Sequence, residues 1–164
     1  VELKKDEKIS FKNILSKLGF NNFDENSVCI YYDRYVIREH QQKAVAALLQ
    51  AIESKNKIVV TDTSPKENSS DFIQKHKPEL NLKDCKTIFK NRPAHDRYLI
   101  IGNKDEIQIW NISNSIDYIT FSDRNIDMNT IGTIRQSVVF TPVSKELLDK
   151  ELLNYLESEI KNGK

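Results

Sequence analysis

The sequence predicts an α/β domain built on a mixed sheet of about six to seven strands flanked by helices. Three observations carry that prediction. The first is a strand, helix, strand order. The run Val28-Cys29-Ile30-Tyr31-Tyr32 is followed by Ala44, Val45, Leu48, Leu49 and Ile52 at helical spacing between His40 and Ser54, and then by Lys57-Ile58-Val59-Val60-Thr61-Asp62. That order implies a parallel pair joined by a right-handed crossover. The second is a later pair of strand-like runs, one following Arg97 and one from Glu106 to Ile112, separated by the polar turn Asn103-Lys104-Asp105. The third is size, because 164 residues can bury one real core without staples.

Taken in order, Ser10 is placed to cap a short helix whose Phe11, Ile14, Leu15 and Leu18 share a face and which Gly19 ends. With the polar stretch Asn21 to Asn26, it makes residues 1–26 an N-terminal helix and linker packing on a main domain of residues 27–164. Asp33 and Arg34 mark the far end of the first long strand. Residues 63–70 are polar and read as a loop at a strand's carboxyl end, where α/β proteins place functional loops. A short helix over 71–76 and a small strand, Lys86-Thr87-Ile88-Phe89, follow. Asp117 to Phe121 reads as a strand, Ser122 to Thr133 as a surface loop, and Gln136 to Phe140 as a last strand that Pro142 breaks. Ser144 is placed to cap a final amphipathic helix carrying Leu147, Leu148, Leu152, Tyr155, Leu156 and Ile160.

Charge excludes a global electrostatic argument. Lys and Arg total 25 against 24 acidic residues, a net charge of +1, so any anion site must be local. A local basic scatter does exist in Lys83, Lys86, Lys90, Arg92 and Arg97, with Phe89 and Tyr98 interleaved; strand alternation would place Lys86, Lys90 and Arg92 on one face. A solvated edge is the commoner meaning of such charges. Cys29 and Cys85 lack CxxC spacing and read as reduced and buried, which fits a cytoplasmic location. No run approaches the roughly 20 apolar residues that cross a bilayer, and the start lacks a secretion signal. A first residue of Val rather than Met fits a piece of a longer chain. The acidic and amide groups of Ser122 to Thr133 lack the ligand ladder of a calcium loop, so no metal and no cofactor is expected.

The stretch Arg92-Pro93-Ala94-His95-Asp96-Arg97 puts a turn, a histidine and a guanidinium immediately before a buried strand. The strand after it ends in Asn111, Ser113 and Asn114. Together, His95-Asp96-Arg97-Tyr98-Leu99-Ile100-Ile101 and Ile109-Trp110-Asn111-Ile112-Ser113-Asn114 resemble one half of the phospholipase D superfamily, whose motif runs HxKxxxxD and then a GSxN-like segment. The likeness covers Ser27 to Phe140. His95 matches the histidine, Arg97 stands where the family has lysine, Gly102 where it has aspartate, and Asn111-Ile112-Ser113-Asn114 loosely replaces the GSxN segment. A closer likeness is to the branch with HDR in place of HxK, which includes the phospholipase D-like domain following the microtubule-interacting-and-trafficking module. Ser113-Asn114-Ser115-Ile116-Asp117-Tyr118 is similar to the L-D-Y segment of that branch but lacks its glycines.

The resemblance implies a histidine that attacks phosphorus, a second that protonates the leaving oxygen, and cations and amides that hold the non-bridging oxygens. His95 takes the catalytic role, and Arg97, Asn111, Ser113 and Asn114 the phosphate-binding one. Asp96, Asp117 and Arg92 are supporting groups, either carboxylate being placed to orient His95. His40 and His76 lack the motif context. One motif per chain means that catalysis requires a homodimer. The leading expectation is therefore a phosphate-recognising domain acting on nucleic acid, as a nuclease or a nuclease-like binder. The alternative is a non-catalytic module that recruits a larger protein to a protein partner or to anionic lipid. The bland reading of His95 and Arg97 is a buried polar cluster in which Asp96 or Asp117 satisfies the arginine.

Overall fold

The computed structural model describes residues 1–20, 23–34, 36, 39–62, 84–90, 96–114 and 116–163. In chain order its elements are β1 (Glu2–Leu3), β2 (Lys8–Ile9), α1 (Phe11–Leu18), β3 (Val28–Tyr32), α2 (Glu39–Gln50), β4 (Asn56–Asp62), β5 (Asp84–Lys90), β6 (Arg97–Gly102) and β7 (Ile107–Ile112). A 3-10 turn (Ile116–Tyr118), β8 (Ile119–Thr120), β9 (Gly132–Ile134), β10 (Val138–Pro142), a second 3-10 turn (Lys145–Leu147) and α3 (Lys150–Gly163) complete them. The main sheet is mixed and seven-stranded, in the order β1-β10-β7-β6-β3-β4-β5. Its β3, β4 and β5 run parallel, and β1, β10, β7 and β6 each pair antiparallel with the neighbour after them in that order. The predicted α/β class and its parallel β3–β4 pair are what the chain forms.

Alternation along β3 sorts the core. All five of its residues are buried, the pattern of a strand covered on both faces. Cys29 and Tyr31 join the cluster that contains α1 and α2, with Phe11, Ile14, Val45 and Leu48. Val28, Ile30 and Tyr32 join the opposite cluster, with Leu152 and Leu156 of α3. Sheet residues that follow each other therefore serve different helix layers, which decides below which side chains can meet.

Local signals place α1 as expected. The Ser10 hydroxyl accepts the Asn13 amide at 3.2 Å, and Gly19 closes the helix at φ 75, where an L side chain costs about 1 kcal/mol. The second helix ends at Gln50 rather than Ser54. Its last turn tightens, Ala51 and Ile52 donating to the Leu48 and Leu49 carbonyls at 3.2 and 3.1 Å, and this keeps Ile52 buried.

Several expectations are corrected. Asp117 to Phe121 is not one strand: Ile116 and Ile119 are both buried in the same cluster, and residues three apart share a side in a 3-10 turn but lie on opposite faces of a strand. The short β8 joins β9 and β2 in a second sheet of order β2-β9-β8, so the loop read over Ser122 to Thr133 ends in a strand that the sequence did not suggest. The last strand starts at Val138, because the Ser137 carbonyl is taken by Asn114 Nδ2, and it runs through Pro142. Pro142 lies beyond the two residues that β1 covers, on the free side of the strand. Ser144 does not cap the last helix; its hydroxyl bonds Glu146 within a 3-10 turn. The cap of α3 is Asp149, whose Oδ2 accepts the Leu152 amide at 3.1 Å, and Leu147 is left 77 % exposed, off the apolar face. The helix expected over 71–76 and the loop over 63–70 lie outside the described residues. Among the described residues no helix is long and apolar enough to cross a membrane.

Candidate functional site

The carboxyl ends of β3, β4 and β5 lie at one end of the sheet, the place where open α/β sheets put ligand sites. Antiparallel pairing brings the first residue of β6 and the last of β7 to that same end: Tyr98 stands opposite Tyr32, and Arg97 opposite Ile112. Asp33 follows β3 directly. Its backbone amide donates to the Val60 carbonyl at 3.0 Å, which holds it in line with the strand and on the face of Tyr31.

Asp33 is only 3 % exposed. The Tyr31 hydroxyl donates to its Oδ2 at 3.0 Å, and Arg97 Nε stands 3.3 Å from the same oxygen. The latter contact is an ion pair at short range rather than an aligned hydrogen bond. Arg97's side chain retains one fifth of its exposure, so an anion arriving at the guanidinium must compete with a carboxylate already in place. Removing one partner of such a pair costs about 3 kcal/mol. Nearby, the Thr61 hydroxyl accepts the Val36 amide at 3.2 Å and pins the chain leaving β3 across the strand ends.

Among the described residues the carboxylate paired with Arg97 is that of Asp33, not Asp96. Asp96 is exposed and accepts a hydrogen bond from Tyr98, on the opposite face. Burial first, then the Asp96 charge and hydrogen bond, hold the Tyr98 phenol above its ordinary pKa. The Tyr98 ring meets Tyr32 edge-on, 6.0 Å between centroids, on the α3 side.

Nor do the predicted phosphate-binding groups converge. Asn111 pairs with Tyr98 and shares the face of Ile109, whereas Arg97 shares the face of Leu99 and Ile101, so the sheet separates them. Ser113 donates its amide to the Val139 carbonyl at 3.0 Å and accepts the Val139 amide on its hydroxyl at 2.8 Å. Asn114 donates its side-chain amide to Ser137 at 2.8 Å. Both residues fasten the end of β7 to the start of β10. Gly102, where the superfamily that the sequence resembles has aspartate, lies at the far end of β6 from Arg97. A Cβ there would meet Ile160 Cδ1 at 3.0 Å and Ile107 Cγ1 at 3.1 Å, so the position serves close packing of α3 on the sheet.

His95 and Arg92 lie outside the described residues, as do Lys83 and the side chains of Asp117, Lys86 and Lys90. Trp110 and Tyr118 are partly buried and pack against the α1–α2 core cluster. The residues that sequence reasoning missed are Asp33 and Tyr31. Their signal was legible: an acid immediately after an apolar run, two positions from a tyrosine on the same strand face. Among the described residues no group of three or more His, Cys, Asp or Glu side chains could hold a metal ion. In comparison with known proteins, the chain matches no protein-family model and no curated protein.

Proposed function

We propose that this chain is a phospholipase D-like recognition domain that works by binding a protein partner and does not hydrolyse phosphodiesters. The single observation that supports this most is the pairing of Arg97 with the buried Asp33 carboxylate. The superfamily's chemistry needs a cation presented to the non-bridging oxygens of a phosphate; here the matching residue leans on an internal acid. Asn111 on the other face and the Ser113–Asn114 fastening support the same reading, since each removes a group that would stabilise a pentavalent phosphorus. Arginine's planar fork in place of lysine's compact charge suits recognition better than that centre.

A metal-free nuclease assay on plasmid DNA, single-stranded oligonucleotides and RNA tests the proposal. The expected result is no cleavage by the wild-type chain and none by Arg97→Lys, which restores the family's cation. Cleavage that disappears in His95→Ala overturns the proposal in favour of a homodimeric nuclease. Pelleting with phosphoinositide vesicles is the second arm. Binding to them but not to neutral vesicles would assign a lipid surface instead of a protein.

A further inference from the structure

Away from the strand ends, a groove of about 470 Å³ runs between α2 and the segment from β8 to Ile126. Its rim carries His40 and Lys43 from α2 and Arg124 from the opposite wall, with one acid, Asp123. Its apolar lining includes Phe121 and Ile126, both packed against the main core cluster. The groove is held from several sides. Lys43 Nζ donates to the Arg124 carbonyl at 3.5 Å across it. The Phe121 ring rests on Phe11, 5.7 Å between centroids, and lies so close to Gly132 that a Cβ there would stand 2.7 Å from it. Among the described residues β8 is the last strand of the small sheet, and both its residues, Ile119 and Thr120, line the groove.

We infer that this groove docks a short acidic segment of a partner protein, extended along β8 and inserting one apolar side chain against Phe121 and Ile126. The inference rests on the binding reading above and names the chemistry of the partner. Lys43 and Arg124 outnumber Asp123, so the rim favours carboxylates. The lining is apolar enough to anchor one side chain, and 470 Å³ is the size of a site that takes a few residues rather than a whole helix. Peptides commonly bind sheet edges in this way, main chain to strand and alternate side chains to pockets. Asp123 faces the same space as an acceptor for an amide or hydroxyl donor of the segment.

The test is a fluorescence-anisotropy titration of the full chain with a labelled peptide pool in which acidic residues flank a central Leu, Ile, Phe or Trp. The control pool carries lysines in place of the acids. Saturable binding of the acidic pool alone is expected, weakened about tenfold by Lys43→Glu with Arg124→Glu and by salt near 0.5 M. Lys43→Gln and Arg124→Gln serve as milder variants should the reversals unfold the protein, as thermal melts would show. Absent or unchanged binding in folded variants overturns the inference. So does loss of anionic-vesicle binding in the same variants with no peptide bound, which would assign the groove to lipid headgroups. If the peptides fail while the nuclease assay is also blank, the groove assignment falls and the non-catalytic reading stands. Cleavage lost in His95→Ala overturns that reading without deciding the peptide titration.

Discussion

Lys57 stands in register beside Cys29 on adjacent parallel strands, and both are buried, at 1 % and 0 % exposure. On its other side Lys57 is in register with Cys85. Loss of water is the largest influence on both titrating groups. It pulls the Lys57 ammonium down from 10.5 to about 8 and pushes the Cys29 thiol up from 9.0 to about 12.

These shifts predict a particular pH dependence of stability. Between about 8 and 10.5 the unfolded chain holds a proton on Lys57 that the folded chain has released, so stability rises with pH there. Between 9.0 and about 12 the folded chain keeps the Cys29 proton that the unfolded chain has lost, so stability falls. From pH 8 to 9 the Lys57 contribution dominates and adds about 1 kcal/mol. Urea unfolding at pH 7, 8 and 9 should show a rising midpoint in the wild-type chain and none in Lys57→Met, while Cys29→Ala steepens the rise above pH 9. A midpoint equally flat in wild type and Lys57→Met would mean that Lys57 stays charged in the fold.

The Asp33–Arg97 pair makes a second prediction, about coupling. Asp33→Asn and Arg97→Met should each destabilise the domain by about 3 kcal/mol, because each leaves the other charge partly buried. The double variant should lose well under the sum, giving an interaction energy of about 1–2 kcal/mol in a double-mutant cycle. Tyr31→Phe, which removes one hydroxyl donor from Asp33, should cost about 1 kcal/mol. Urea denaturation of the four variants measures all of this. Strictly additive losses would show that Arg97 is held by something other than Asp33.

Gly132 supplies a third. A methyl group there would lie 2.7 Å from both Ile119 Cγ2 and the Phe121 ring, so Gly132→Ala overpacks the junction of the small sheet with the core. The expected cost is about 1–3 kcal/mol, and acidic-peptide affinity should fall with it, because the displaced ring lines the groove. Chemical denaturation and the anisotropy titration read the two effects separately. A fully stable variant with unchanged affinity would show that Phe121 moves freely.

Elements with a strong local signal were legible. Helix α1 announced itself through Ser10, four apolar residues on one face and Gly19; β3, β4 and β6 did so through uninterrupted apolar runs. The small sheet was not legible because strands of two or three residues carry no measurable period. Asp149 was overlooked as a cap because Ser144 also satisfies the local pattern, and only packing, which leaves Leu147 outside, separates the two. The candidate site was half legible. Arg97 at the mouth of a strand could be read directly, but its partner lies 64 positions away in the chain, on a strand whose register no local pattern states.

By itself, then, the amino-acid order determined the long helices and strands of the main sheet and that parallel and antiparallel pairs share it, because periodicity, capping and turn chemistry act within a few residues. Only the tertiary structure decided which side chains meet. The pairing of Tyr98 with Tyr32 and of Arg97 with Ile112 puts Arg97 on the Asp33 face and Asn111 on the other. A shift of one residue in either register would have reversed that outcome, since neighbouring residues of a strand point to opposite sides of the sheet.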